Sequence, residues 1–303
     1  MSTRPTRAWH DAQYDARAGI PEQAAIRQGW VDRSTQARAT RRCVLDVRYG
    51  THASETLDVF LPAQAQRAPV LVYIHGGYWR ALDKQDQSFV AAPFVDAGAV
   101  VVLPNYALAP VVSVRQIVLQ MVQALVWVHR HIGEHIGEHG SEHGGEHCSE
   151  RGGDPRRIVV AGHSAGGHLA AMMLACRWSA VAQDLPPRLL HAALAISGLF
   201  DLAPLRRAPF LAADLKLSAA EARALSPACM PAPPHGPLMA VVGGDESSEF
   251  HRQNRLIRQA WGGAAVPVCE SLPGRHHMNV LHDLAEPGTR LHGLARHLLG
   301  LPI

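Results

Sequence analysis

The sequence has no long apolar run. None of its hydrophobic stretches approaches the roughly 20 residues that a helix needs to cross a bilayer. The N-terminal stretch MSTRPTRAWHDAQYDARAG also lacks the apolar core of a secretory signal. No membrane partner is expected, and a cytoplasmic location is. Cysteine is scarce. The five residues (43, 148, 176, 229, 269) are odd in number, widely spaced and form no CxxC pair. That excludes a disulfide framework from the expectation and favours reduced thiols. An excess of one charge is missing too: the formal net charge is +3 and the arginines are scattered, so nothing marks a nucleic-acid partner. Aromatic residues make up only 6%, but the hydrophobic fraction of 47% is ample for a core.

The order of apolar segments sets the fold class. CVLDVRYG (43–50) and TLDVFLP (56–62) read as strands joined by a short turn. APVLVYIHGG (68–77) and AVVVLPNY (99–106) are continuous apolar runs of strand length, the pattern of strands covered on both faces. RRIVVAG (156–162), LLHAALAISG (189–198), PLMAVVGGD (237–245) and VPVCESLPG (266–274) extend the series. Between them, 89–98, 111–131, 164–178 and 249–261 have helical character, as does 289–300 at the end. This alternation predicts an α/β fold: a mostly parallel central sheet with helices on both faces, and an antiparallel edge where the first two strands lack a helix between them. Residues 1–303 read as one domain, with an N-terminal helical segment at 1–40. The Ala-, Leu- and Pro-rich interval 199–236 breaks the alternation and predicts a small helical cap.

Residues 129–155 repeat a Gly/Ser-Glu-His unit every four residues, placing His131, His135, His139, His143 and His147 in register. On a helix they would share one face, where histidines four apart can hold a metal. The glycines favour an expanded surface loop instead, so the insertion at 132–150 is expected to be dispensable and any metal binding adventitious.

Gly162-His163-Ser164-Ala165-Gly166 stands between a β-rich run and a helical one. This is the strand–turn–helix setting of a nucleophile elbow, with glycine two residues to each side where a side chain would collide. Ser164 would start a helix, where free N–H groups favour developing negative charge. A hydroxyl needs a base, and the base an orienting acid. In this arrangement the acid and then the histidine follow the serine along the chain, on loops after later strands. Asp245 follows LMAVVGG directly and is the expected acid, ahead of Glu246 and Glu249. His276 and His277 follow the next strand. His75-Gly76-Gly77-Tyr78-Trp79 ends an earlier strand, and the N–H groups of Gly77, Tyr78 and Ala165 are the expected oxyanion donors.

HGGYWR at 75–80, GHSAGGHLAA at 162–171, SGLFDLAPL at 197–205, GGDESSEF at 243–250 and PGRHHM at 273–278 resemble the α/β-hydrolase kynurenine formamidases (arylformamidases), relatives of the hormone-sensitive-lipase-like esterases. The resemblance runs from about residue 10 to the C-terminus and is interrupted by the Glu-His repeat. It implies an α/β-hydrolase fold without cofactor or metal, with Ser164 as nucleophile, Asp245 as acid, and Gly76, Gly77 and Ala165 around the oxyanion hole. The family's acidic or amide residue, then His, then Phe maps to His276-His277-Met278, which makes His277 the base and puts Met278 in the pocket wall. Tyr78 and Trp79 would flank an aromatic substrate ring. The implied partner is a small aromatic formamide, N-formyl-L-kynurenine, with a small acyl ester as the alternative. A homodimer stays open.

Overall fold

Eight strands form one mixed sheet. The computed structural model describes residues 5–64, 67–133 and 152–302, so the body of the Glu-His repeat and its four later register histidines lie outside the described residues. The strands are β1 (Cys43–Arg48), β2 (Thr56–Phe60), β3 (Ala68–Ile74), β4 (Val100–Pro104), β5 (Gly153–His163), β6 (Leu190–Ile196), β7 (Leu238–Gly243) and β8 (Val268–Leu272). Their order is β1-β2-β4-β3-β5-β6-β7-β8. The β1–β2 and β2–β4 pairings are antiparallel and the others parallel, as the missing helix between the first two strands predicts.

The helices are α1 (Arg7–Tyr14), α2 (Gln23–Thr40), α3 (Ala91–Asp96), α4 (Val114–His131), α5 (Ala165–Leu174), α6 (Trp178–Val181), α7 (Pro209–Leu215), α8 (Ala219–Ala224), α9 (Ser248–Ala265), α10 (Val280–Leu284) and α11 (Arg290–Leu299). They cover both faces. Val70, Val72 and Ile74 of β3 pack on the α4–α5–α9 side, while Leu71 and Tyr73 pack on the side of α2, α3 and α11. Alternate side chains of one strand thus enter two separate cores, which is why the parallel strands read as unbroken apolar runs. Ser113 caps α4 through a reciprocal pair with Gln116, and Thr289 caps α11.

The interval 199–236 contains no strand. It holds α7, α8 and two 3₁₀ turns, Ala203–Arg207 and Pro227–Cys229. The N-terminal helices are more firmly held than their polar composition suggests. Tyr14 is fully buried and its hydroxyl donates to Glu249 Oε2 at 2.6 Å. Ile26 and Trp30 of α2 join the second core. Among the described residues, no helix is long and apolar enough to cross a membrane, and the four described cysteines are free.

Candidate active site

Five neighbouring parallel strands end at one edge of the sheet. Ile74 of β3 is level with Gly162 of β5, His163 with Ile196 of β6, and Gly243 of β7 with Leu272 of β8. The loops that leave this edge carry His75–Gly77, Ser164, Ser197, Glu246 and His277. Segments far apart in sequence are therefore delivered to one place by the parallel register.

Ser164 stands between β5 and α5 with φ 57° and ψ −117°, a strained conformation for a residue with a Cβ. The two glycines explain how the turn closes. A Cβ on Gly162 would lie 2.2 Å from the Gly166 carbonyl oxygen, and one on Gly166 would lie 2.0 Å from the Ile74 carbonyl oxygen. Both contacts are with backbone, so no larger residue fits without moving the strand. The Ser164 amide is tied to the Ile196 carbonyl at 2.8 Å, which leaves the hydroxyl to face the pocket at the start of α5.

His277 is nearly buried, with its imidazole against His163 (ring centroids 4.5 Å) and Phe250 (4.6 Å). Its Nδ1 donates to Glu246 Oε2 at 2.6 Å. In the neutral ring, a proton held on Nδ1 leaves Nε2 free to accept a hydroxyl proton. His276 is turned elsewhere: Nε2 lies 3.1 Å from Glu22 Oε1, and Nδ1 accepts the amides of Met278 and Asn279. Of the two adjacent histidines, only His277 shares a pocket with Ser164.

The carboxylate that meets His277 is Glu246, not the expected Asp245. Asp245 is exposed, and among the described residues its carboxylate makes no hydrogen bond or ion pair. The cause is the local turn. After β7, the Gly244 amide bonds Leu272 O at 2.7 Å and the Asp245 amide bonds Arg275 O at 2.9 Å, so pairing with the neighbouring chain runs two residues beyond the strand. The Glu246 amide then closes back on Gly243 O, and its side chain folds inward, with Oε1 accepting from the Gly243 amide at 2.7 Å and from the Ser197 hydroxyl. With only 1% of its side chain exposed, Glu246 has both oxygens committed. Ser197, at the rim of β6 with φ 50°, is the orienting group that the motif reading passed over. Its signal was available: it is the first residue after a parallel strand that neighbours the elbow strand.

The His75–Trp79 loop backs directly onto the serine. A Cβ on Gly76 would lie 3.2 Å from Ser164 Cβ and 2.9 Å from the His163 carbonyl oxygen. The loop is braced from beneath. The His75 ring stacks on Tyr106 at 4.2 Å, and the Tyr106 hydroxyl donates to the carbonyls of His75 and Gly76. Gly77, Tyr78 and Trp79 all have positive φ. Gly77, Tyr78 and Met278 line the pocket with Ser164, His163 and His277, and the Tyr78 hydroxyl donates to Tyr14 O at 2.6 Å. Gly76 and Ala165 flank Ser164 from the loop and from α5 respectively.

Trp79 does not flank the pocket. It is fully buried in the first core, edge-on to His168 at 5.0 Å, and its carbonyl accepts from Ala109. The left-handed turn sends successive side chains apart, and an indole buries too much apolar area to remain at the rim when the core offers space.

The pocket over Ser164 has a volume of about 150 Å³. Its far wall comes from α2, the α1–α2 connection and Phe210 of α7. Arg80 links the loop to α7 by bonds to Phe210 O and Asp214. Burial holds the imidazole of His163 well below its ordinary pKa, and the neighbouring His277 adds to the effect. His163 is therefore a neutral wall beside His277.

His168, one turn into α5, is pushed down to about 4 by burial, while its Nε2 donates to Leu225 O at 2.7 Å. Between pH 6.5 and 4 the unfolded chain binds a proton here that the folded chain refuses. Stability is thus full above pH 6.5 and falls as the pH drops toward 4, by about 3 kcal/mol from this group. His168→Gln keeps the donor and removes the titration. Urea midpoints at pH 7 and pH 4.5 are expected to differ less in this variant than in the wild type; equal differences would remove His168 as the source.

A family profile described as the alpha/beta hydrolase fold matches residues 71–249. Among curated proteins, the chain is 29% identical to a kynurenine formamidase of Danio rerio over 88% of this chain and 85% of that one. It is 39% identical to the carboxylesterase NlhH of Mycobacterium tuberculosis over a shorter stretch, 37% of this chain and 30% of that one. Among solved structures, a thioesterase candidate from Silicibacter sp. TM1040 superposes with a TM-score of 0.78 at 30% identity, covering 93% of this chain and 97% of its own. With an eight-stranded, mostly parallel sheet and a serine elbow at its carboxyl edge, this chain belongs to the alpha/beta hydrolase fold family and is a hydrolase.

Proposed function

We propose that the protein is a serine hydrolase that cleaves N-formyl-L-kynurenine to kynurenine and formate. The observation that carries this reading is the 2.6 Å bond from His277 Nδ1 to Glu246, made beside the pocket that holds Ser164. Ser164 Oγ attacks the formyl carbon while His277 Nε2 takes the hydroxyl proton. The carbonyl oxygen becomes an oxyanion that accepts from backbone N–H groups of Gly77, Tyr78 and Ala165; one such donor contributes about 3 kcal/mol to the transition state. The C–N bond then breaks, the aryl nitrogen leaves with the proton from His277, and a formyl ester remains on Ser164. Water, deprotonated by His277, attacks that ester and releases formate. Glu246 holds the imidazole tautomer through both halves and stabilises the imidazolium. Tyr78, Met278 and Phe210 offer the aromatic ring its contacts.

The likeness to the zebrafish kynurenine formamidase over most of both chains supports the formamide substrate. The stretch shared with a carboxylesterase supports a second reading, hydrolysis of small acyl esters by the same residues. Steady-state turnover of N-formyl-L-kynurenine and of p-nitrophenyl acetate separates them. The expected result is a kcat/KM for the formamide at least equal to that for the ester; a formamide rate far below the ester rate would leave the esterase reading in its place.

A further inference from the structure

Two rings touch the imidazole of His277. Its centroid lies 4.5 Å from that of His163 and 4.6 Å from that of Phe250. The rings come from different elements. His163 closes β5, immediately before the serine, and Phe250 stands in the first turn of α9, four residues past Glu246. Both side chains are buried. Phe250 is braced from α1, where Tyr14 meets it edge-on at 6.2 Å and bonds its neighbour Glu249. The Nε2 of His163 has no hydrogen-bond partner among the described residues, so at that atom the ring supplies contact rather than a bond.

An aromatic ring attracts a cation centred within roughly 6 Å of it, and more strongly where water is excluded. A neutral imidazole gains much less from the same neighbours. An attraction that grows only as charge develops lowers the barrier instead of merely tightening binding.

We infer that His163 and Phe250 are positioning residues for the hydrolysis: they fix the His277 ring and stabilise the imidazolium that forms when His277 takes the Ser164 proton. This role rests on the reading of His277 as the base. A proton on His163 would turn its attraction into repulsion, and burial keeps that ring neutral. The other groups around His277 stay as they are when either ring is replaced. Glu246 is the carboxylate bonded to its Nδ1, and Tyr78 donates its hydroxyl to Tyr14 O. Asp15, Arg17, Arg27 and Arg80 stand elsewhere on the pocket wall. His276 is bonded to Glu22, and Glu249 is paired with Arg252.

The rate of Ser164 labelling by a fluorophosphonate, measured against pH, reads the base without reference to the true substrate. Labelling requires unprotonated His277, so the rate rises as pH climbs through the pKa of that group. Without a flanking ring the imidazolium is less favoured, this pKa falls, and the acid limb moves to lower pH. For His163→Leu and Phe250→Leu the expected shift is about half a pH unit downward, with the plateau rate lowered about three- to tenfold. His163→Phe keeps a ring beside His277 and should return the limb to within about 0.2 unit of the wild type. The two positions are independent, so a folding defect in one leucine variant leaves the other as the test. Loosened packing alone would admit water and favour the imidazolium, which moves the limb upward. A limb that stays in place or moves upward in the leucine variants would overturn the proposal. A wild-type rate with no acid limb would instead sink the reading of His277 as the base.

Discussion

Ser164→Ala is expected to lower kcat by about 10⁴-fold or more while leaving KM nearly unchanged. In the proposed reaction the hydroxyl forms the bond to substrate, and the pocket wall carries no second Ser, Thr or Cys: the remaining polar groups there are His163, His277, Tyr78, Trp30, Asp15 and arginines. Loss of the oxygen removes the covalent route but leaves the oxyanion donors and the binding surface, which sustain a residual rate about 10³–10⁴-fold above water. The substitution adds no atoms at a position whose amide is held by Ile196 O, so the elbow should keep its shape. A matched thermal midpoint with lost turnover would assign the effect to chemistry. Turnover within tenfold of the wild type would mean that another group carries the reaction.

Glu246→Gln is expected to lower kcat by about 10³–10⁴-fold, with Asp245→Asn within twofold of the wild type. The size of the first effect follows from the bonds of Glu246. Oε1 accepts from the Gly243 amide and the Ser197 hydroxyl, so a glutamine would place its carbonyl oxygen there and its NH₂ against His277. An NH₂ cannot accept from Nδ1–H. The imidazole would shift its proton to Nε2 and could no longer take one from Ser164. Asp245 is exposed and without a partner among the described residues, so its charge can be removed at little cost. Titrating kcat against pH in both variants checks the assignment: the Glu246 variant should lose rate at all pH values, the Asp245 variant at none. The reverse pattern would return the acid to Asp245.

The one-residue difference between Asp245 and Glu246 marks how far the sequence could be read. The strands were legible because burial on both faces leaves an unbroken apolar run, and the elbow was legible because Gly162 and Gly166 stand where backbone meets backbone. His277 could be placed by its distance past β8. The acid depends on something finer, the phase of a turn. Whether residue 245 or 246 points inward is set by two amide bonds to Leu272 and Arg275, partners about 30 residues away that no local pattern encodes. Trp79 was misjudged for a related reason. Three consecutive positive φ angles separate its side chain from that of Tyr78, and only Gly77 among those residues announces such a backbone in advance. The N-terminal helices were the least legible part, since their hold on the body comes from long-range contacts such as Tyr14 to Glu249.

The reading of the site as a whole stands on convergence at one oxygen atom. Incubation of the active protein with a fluorophosphonate, followed by peptide mapping, tests it most directly. A single adduct on the peptide that contains Ser164, formed in step with loss of hydrolysis and absent from the alanine variant, is the predicted result. An adduct at another residue, or full hydrolytic activity in protein that is labelled at Ser164, would contradict it.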